Sequence, residues 1–246
     1  MRAGVNGFGK RANLNQGSII ASLLAALLLA ACGTTPSPAP QPTAATAPAT
    51  APVPAKPAPV TTDARPAILC FGDSIITAGF GLDTGQSFPD LLQHDLDHRH
   101  LAFRVLNFGV SGDTTQDGLA RVPMALAERP ALVLLELGGN DGLRGLPLTV
   151  TQANLAQMIE SFQSSGASVV LAGMSLPPNY GAAFIRKFEA IYPALAAKYN
   201  APLIPFLLEG VGGHDDLMQR DGIHPNAIGA QKVEALVMKT LATILK

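Results

Sequence analysis

Five short apolar runs, at 67–71, 103–108, 131–137, 168–173 and 203–207, read as β-strands. The second, third and fourth are apolar almost without interruption, the pattern of strands covered on both faces. Helical spacing fills the intervals. Apolar residues recur three and four apart at Leu91, Leu92 and Leu96, and again at Leu155, Met158, Ile159 and Phe162. Helices are thus predicted near 89–98, 114–127, 151–164, 183–199 and 225–244, the last with Pro225 in its first turn. Strand–helix alternation with short connections makes the strands parallel and lays helices on both sides of them. The fold class is α/β: a three-layer α/β/α sandwich with a five-stranded parallel sheet.

In such a sheet the strand-to-helix connections open on one edge, where ligands bind. Those connections hold the polar residues that matter: Gly72-Asp73-Ser74 after the first strand, Gly109-Val110-Ser111-Gly112-Asp113 after the second, and Gly138-Gly139-Asn140-Asp141 after the third. The tract after the fifth contains Asp221-Gly222-Ile223-His224. Gly72 is read as the residue that lets the chain turn sharply, leaving Ser74 just past the strand end.

A serine hydroxyl becomes a nucleophile when a base takes its proton, and histidine is the usual base. The resulting imidazolium needs a carboxylate to orient and stabilise it. Asp221 and His224, three residues apart, are close enough for the carboxylate to meet the ring. A tetrahedral intermediate also needs donors aimed at its oxyanion, and the backbone N–H groups of Ser74 and Gly112 with the Asn140 amide are candidates. Singly, each has a plain structural reading. Gly-Asp-Ser and Gly-Gly-Asn are ordinary turns, Asp113 and Asp141 read as helix caps, and His224-Pro225 reads as a helix entrance. Together, on consecutive loops of one sheet edge, they point to nucleophilic catalysis.

The first 65 residues have a different character. Arg2, Lys10 and Arg11 precede an apolar stretch from Ile19 to Ala31, too short to span a bilayer and laid out as a secretory signal. Gly7-Phe8-Gly9, which resembles a scrap of a dinucleotide loop, falls inside that segment. Leu29-Ala30-Ala31-Cys32 resembles the lipobox of bacterial lipoproteins, in which the cysteine is lipidated; the alternative is an ordinary signal cut at a small-residue site. Nine prolines between Pro36 and Pro59, interleaved with Ala and Thr, cannot bury a core and form an extended tether or a plain linker. The organisation is therefore a signal at 1–31, a lipidated Cys32 with its tether at 32–65, and a domain at 66–246.

Cys32 and Cys70 are the only cysteines, so with lipid on Cys32 the domain has no disulfide, and Cys70 reads as a small buried apolar side chain. Removing the signal leaves 14 basic against 18 acidic residues, a net charge of −4 that gives no footprint for nucleic acid. His94 and His98 stand one helical turn apart, but Asp95, Asp97 and Arg99 around them describe a solvated face rather than a metal site. No metal and no cofactor is expected.

These blocks, in this order, resemble the SGNH (GDSL) hydrolase family, and within it the bacterial acyl-CoA thioesterase I, protease I and lysophospholipase type. The resemblance spans nearly all of 67–246. It matches Ser74 to the nucleophile, Gly112 in Ser111-Gly112-Asp113-Thr114 and Asn140 in Gly138-Gly139-Asn140-Asp141 to the oxyanion hole, and Asp221 and His224, followed by Pro225-Asn226, to the acid and base. Pro177-Pro178-Asn179-Tyr180-Gly181 resembles that subgroup's mobile loop beside the acyl groove. The resemblance implies a flavodoxin-like sheet and a serine esterase acting on small acyl ester, thioester or lysophospholipid substrates through an acyl-enzyme. One departure is an extra residue after the nucleophile, in Ile75-Ile76-Thr77-Ala78-Gly79-Phe80, which implies a shifted first turn and an altered acyl pocket. The Gly-x-Ser-x-Gly elbow of the other large serine-hydrolase fold is absent. Rival readings are a carbohydrate O-acetyl esterase and a non-catalytic envelope-binding lipoprotein. The expected location is the cell envelope, lipid-anchored and facing the periplasm, in the outer rather than the inner membrane because Gly33 is not a retention aspartate; a monomer is expected.

Overall fold

The computed structural model describes residues 63–77 and 81–245. The expected signal, Cys32, most of the expected tether and Ala78-Gly79-Phe80 lie outside the described residues. Five strands, β1 (Ala67–Gly72), β2 (Arg104–Gly109), β3 (Leu132–Glu136), β4 (Ser168–Ala172) and β5 (Leu203–Ile204), form one parallel sheet in the order β2-β1-β3-β4-β5. The chain runs from β1 to one neighbour, then returns past β1 to build the other side. Right-handed crossovers therefore put the first connecting helix on one face and the later ones on the other.

Helices α1 (Phe88–His98) and α7 (Ala227–Leu241) pack together as one layer. The other layer is α2 (Thr115–Ala127), α4 (Leu148–Ser164) and α6 (Ile191–Tyr199), each packed against the next. Between the layers, β1, β3 and most of β4 are buried, and Phe71 meets Phe162 edge to face at 5.5 Å. Cys70 is wholly buried in β1, and burial pushes its thiol up to about 12. Among the described residues, no helix is long and apolar enough to cross a membrane.

Several expectations give way to local chemistry. β2 is an edge strand and only half-buried, not covered on both faces, because its outer side has no neighbour. The fifth run yields two paired residues, since Pro205 has no N–H to continue the ladder. The helix expected at 183–199 is two, α5 (Ala182–Glu189) and α6, because Pro193 has no N–H for the Glu189 carbonyl. The last helix begins at Ala227, capped by the Asn226 side chain, while Pro225 bridges to Met218 instead. A short helix that the glycines concealed, α3 (Gly139–Leu143), follows β3.

The connections are fastened to one another by one buried carboxylate. Asp141 in α3 accepts from the Thr115 N–H at 2.8 Å and the Thr115 hydroxyl at 2.5 Å, and from the Thr151 hydroxyl at 3.1 Å. It thus caps α2 from a distant loop while holding the start of α4, and Asn154 adds a bond to the Thr115 hydroxyl. Replacing Asp141 by alanine leaves a buried N–H and two hydroxyls without their acceptor. Asp141→Ala should therefore lower unfolding free energy by about 2–4 kcal/mol in urea titrations; a loss below about 1 kcal/mol would show that the three elements are held together by other means.

Candidate active site

β1 lies where the strand order reverses, so its carboxyl end faces the crevice in which open α/β sheets take ligands. There Asp73 Oδ1 accepts from the Ile75 N–H at 3.0 Å, and the Thr77 N–H reaches the Asp73 carbonyl at 3.1 Å. This single helical turn lifts Ser74 out of the sheet. Gly72 serves it differently from the sequence expectation. Its φ is not positive; a Cβ would collide with the carbonyl and carboxyl of Glu136 and with Ile76. The extra residue falls directly after Ser74, where Ile75, Ile76 and Thr77 form this turn; Ala78-Gly79-Phe80 lie outside the described residues.

His224 approaches from the loop before α7. Its Nε2 is 2.8 Å from Ser74 Oγ, and its Nδ1 is 2.7 Å from Asp221 Oδ2. The other Asp221 oxygen accepts the N–H groups of Ile223 (2.9 Å) and His224 (3.0 Å), which locks the carboxylate beside the ring. Burial pushes the Asp221 carboxyl up, but those two N–H groups and the imidazole outweigh it and hold it below the usual carboxylate range. Gln219 ties the loop from below, its N–H to the His224 carbonyl at 2.7 Å and its side-chain amide to the Pro225 carbonyl at 3.0 Å.

Asn140, in the first turn of α3, donates through Nδ2 to Asp73 Oδ2 and to the Asp113 carbonyl, each at 3.0 Å. Both of its N–H groups are therefore engaged. The N–H groups of Ser74 and Gly112, by contrast, meet no acceptor among the described residues. Gly112 has φ +85°, and its carbonyl accepts Arg144 Nη2 at 2.8 Å. Asp113 is not a simple cap: it pairs with Arg121 at 2.7 Å, while Thr114 caps α2. Among the described residues, no group of three or more His, Cys, Asp or Glu is arranged to hold a metal.

Ser74, Asn140 and His224 line the mouth of a cavity of about 480 Å³ whose walls are largely apolar: Met174, Leu176, Phe206, Leu208, Met218 and Ile223. Pro177 and Pro178 lie on its rim. The arrangement suits attack by a hydroxyl on an electrophile whose apolar tail occupies the cavity, with the proton passing to an imidazole held by a carboxylate.

Three polar residues here escaped the sequence reading. Arg121 donates to the carbonyls of Phe108 (3.0 Å) and Gly72 (3.1 Å), lies 4.5 Å over the Phe71 ring, and so binds the ends of β1 and β2 to the Asp113 loop. Tyr192, fully buried in α6, donates to the Leu137 carbonyl at 3.0 Å. Glu136 is fully buried at the end of β3 behind Asp73. Its signal was present, as the one charge in the run at 131–137.

With this geometry in hand, comparison with known proteins is direct. The GDSL-like Lipase/Acylhydrolase family matches residues 70–232. Esterase TesA of Pseudomonas aeruginosa is 48% identical over 183 residues, covering 74% of this chain and 90% of the relative. Thioesterase 1/protease 1/lysophospholipase L1 of Escherichia coli K12 is 42% identical over 164 residues, 66% of this chain and 77% of the relative. The crystal structure of TesA superposes with a TM-score of 0.71 at 48% identity, covering 73% of this chain and 99% of that one. The chain belongs to the GDSL-like lipase/acylhydrolase family, with the α/β fold of SGNH hydrolases.

Proposed function

We propose that this chain is a serine esterase that hydrolyses carboxylic ester and thioester bonds through an acyl-enzyme on Ser74. The observation that carries the reading is the unbroken line from Ser74 Oγ through His224 to Asp221, at the mouth of an apolar cavity. Ser74 attacks the carbonyl carbon, and His224 Nε2 takes the hydroxyl proton and returns it to the leaving group. Asp221 keeps Nδ1 protonated and stabilises the imidazolium. The N–H groups of Ser74 and Gly112 and the amide of Asn140 receive the oxyanion. The names of the relatives, an esterase and a thioesterase and lysophospholipase, agree with ester and thioester substrates. The apolar walls favour an acyl chain over an acetylated sugar. All the proposed groups come from one chain, so a monomer suffices.

The N-terminal segment supports an envelope address. We infer that residues 1–31 are a signal, Cys32 is lipidated, and 32–65 tether the hydrolase domain at 66–246 to a membrane, the outer one in a Gram-negative host. Stable anchoring takes more than one acyl chain, which the triacyl modification of bacterial lipoproteins supplies. Roughly 30 residues of tether at about 3.1 Å each would let the domain work up to about 90 Å from its anchor.

Ser74→Ala should reduce ester turnover by about 10⁴-fold or more, and a serine-directed phosphonate should label Ser74 in the wild type. Label on Ser111 or Ser175 would overturn the assignment. In a pH series, kcat/KM should fall on the acid side, because taking the Ser74 proton requires a neutral base, while the Asp221 carboxyl is held below the usual carboxylate range. Its stabilising pairing is present above the unfolded carboxylate value and is lost only as pH falls through the lower folded one. His224→Ala should cost nearly as much as Ser74→Ala, and Asp221→Asn less; near-wild-type activity in His224→Ala would remove the mechanism. Finally, Cys32→Ser should move esterase activity from the membrane to the soluble fraction of the native host. Equal membrane association of the two forms would mean that something other than lipid holds the protein there.

A further inference from the structure

The mechanism leaves two buried carboxyl groups without a role, and they touch. Asp73, 3% exposed, directly precedes Ser74, and Glu136 is fully buried at the end of β3. Glu136 Oε2 accepts the Asp73 N–H at 3.2 Å, the two side chains are hydrogen-bond partners, and Glu136 Oε1 meets no partner among the described residues. Two carboxylates in contact and away from water cannot both ionise, so the pair keeps a proton. The surroundings decide which group holds it. Asp73 has the Ile75 N–H, the Asn140 amide and the nearby His224 to favour its anion. Glu136 has one N–H donor, no cation, and the Asp73 charge beside it, with buried Tyr192 facing it from α6 and Asp141 beyond. Burial raises both carboxyls, and Glu136 is raised well above the usual glutamate range by burial and by Asp73. The proton resides on Glu136 and the charge on Asp73.

That charge sits on one of the two acceptors that occupy Asn140. The other is the Asp113 carbonyl, which can only accept, so the side-chain amide is fixed with its NH₂ toward both. We propose that Asp73, backed by the protonated carboxyl of Glu136, is a positioning residue that holds the Asn140 amide for oxyanion stabilisation. The inference rests on the catalytic reading above. When negative charge develops on the substrate oxygen, Asn140 gives up its neutral bond to the Asp113 carbonyl and retains the charge-assisted one to Asp73, which is the stronger of the two. One N–H thus turns to the oxyanion while the other keeps the amide in register. An uncharged Asp73, or one whose own partner is missing, would leave the amide free to rotate.

The test is a double-mutant cycle with a p-nitrophenyl ester on the full-length protein. Asn140→Ala should lower kcat by roughly 10²–10³, and Asp73→Asn by about 10- to 100-fold, each with KM nearly unchanged. The combined variant should be no more than about threefold slower than Asn140→Ala alone, because a positioning residue has nothing left to position. Glu136→Leu should lower kcat as Asp73→Asn does, and Glu136→Gln, whose amide still donates to Asp73, should recover most of it. Losses that multiply in the double variant, an effect confined to KM, or full activity in Asp73→Asn would each overturn the proposal. Phosphonate labelling of Ser74 in every variant keeps the two readings separate. Wild type that resists the label, or Ser74→Ala that retains turnover, defeats the catalytic assignment itself, whereas labelled variants with multiplicative losses defeat only the role of Asp73.

Discussion

Where β1 ends, Gly72 lies so close to Glu136 of β3 that no side chain fits between them. This contact lets the two strands stay paired up to Phe71 and Leu135, and it brings Asp73 over the Glu136 carboxyl. Arg121 closes the opposite side by donating to the carbonyls of Gly72 and Phe108. The turn that lifts Ser74 therefore starts from a platform with its backbone groups already paired. Any residue larger than glycine at 72 would wedge β1 from β3 and displace Ser74 from the His224 imidazole.

The loops of the reactive rim are held by side chains reaching between elements more than by their own conformations. Asp141 caps α2 from α3, Asp113 pairs with Arg121, and Arg144 holds the Gly112 carbonyl. The first and the third join connections that follow different strands, and Arg121 reaches from α2 to the carbonyl of Gly72 at the end of β1. Such cross-links resist independent drift of the loops, and a hydroxyl and an imidazole at 2.8 Å require that resistance. Buried polar groups are costly unless satisfied, so their concentration at this one edge marks where the fold trades stability for geometry.

The sheet was legible because apolar runs and helical spacing report burial directly, and the four polar blocks were legible because glycine, serine, asparagine and histidine cluster at strand ends. The positions that misled were those decided by backbone chemistry or by neighbours. Pro193 splits a helix whose apolar pattern runs on unbroken, and Pro205 ends a strand two residues in. β2 reads as buried because its residues are apolar, whereas its place at the sheet edge is set by the order of crossovers. Glu136 stands out locally as the lone charge of an apolar run, but its meaning, like that of Arg121, lies in what it faces across the sheet, which no local pattern encodes.

The brevity of β5 reaches further than strand count. The β4–β5 seam has two registered pairs, while β1 has six with β2 and four with β3. Local opening starts where few backbone bonds must break. The cavity walls formed by Met174 and Leu176 after β4, and by Phe206 and Leu208 after β5, hang from that weakest seam, whereas Ser74 and Asn140 follow the strongest strands. The molecule thereby divides compliance from reactivity. The cavity wall belongs to the seam that opens most easily, and the geometry of Ser74 and Asn140 does not travel with it.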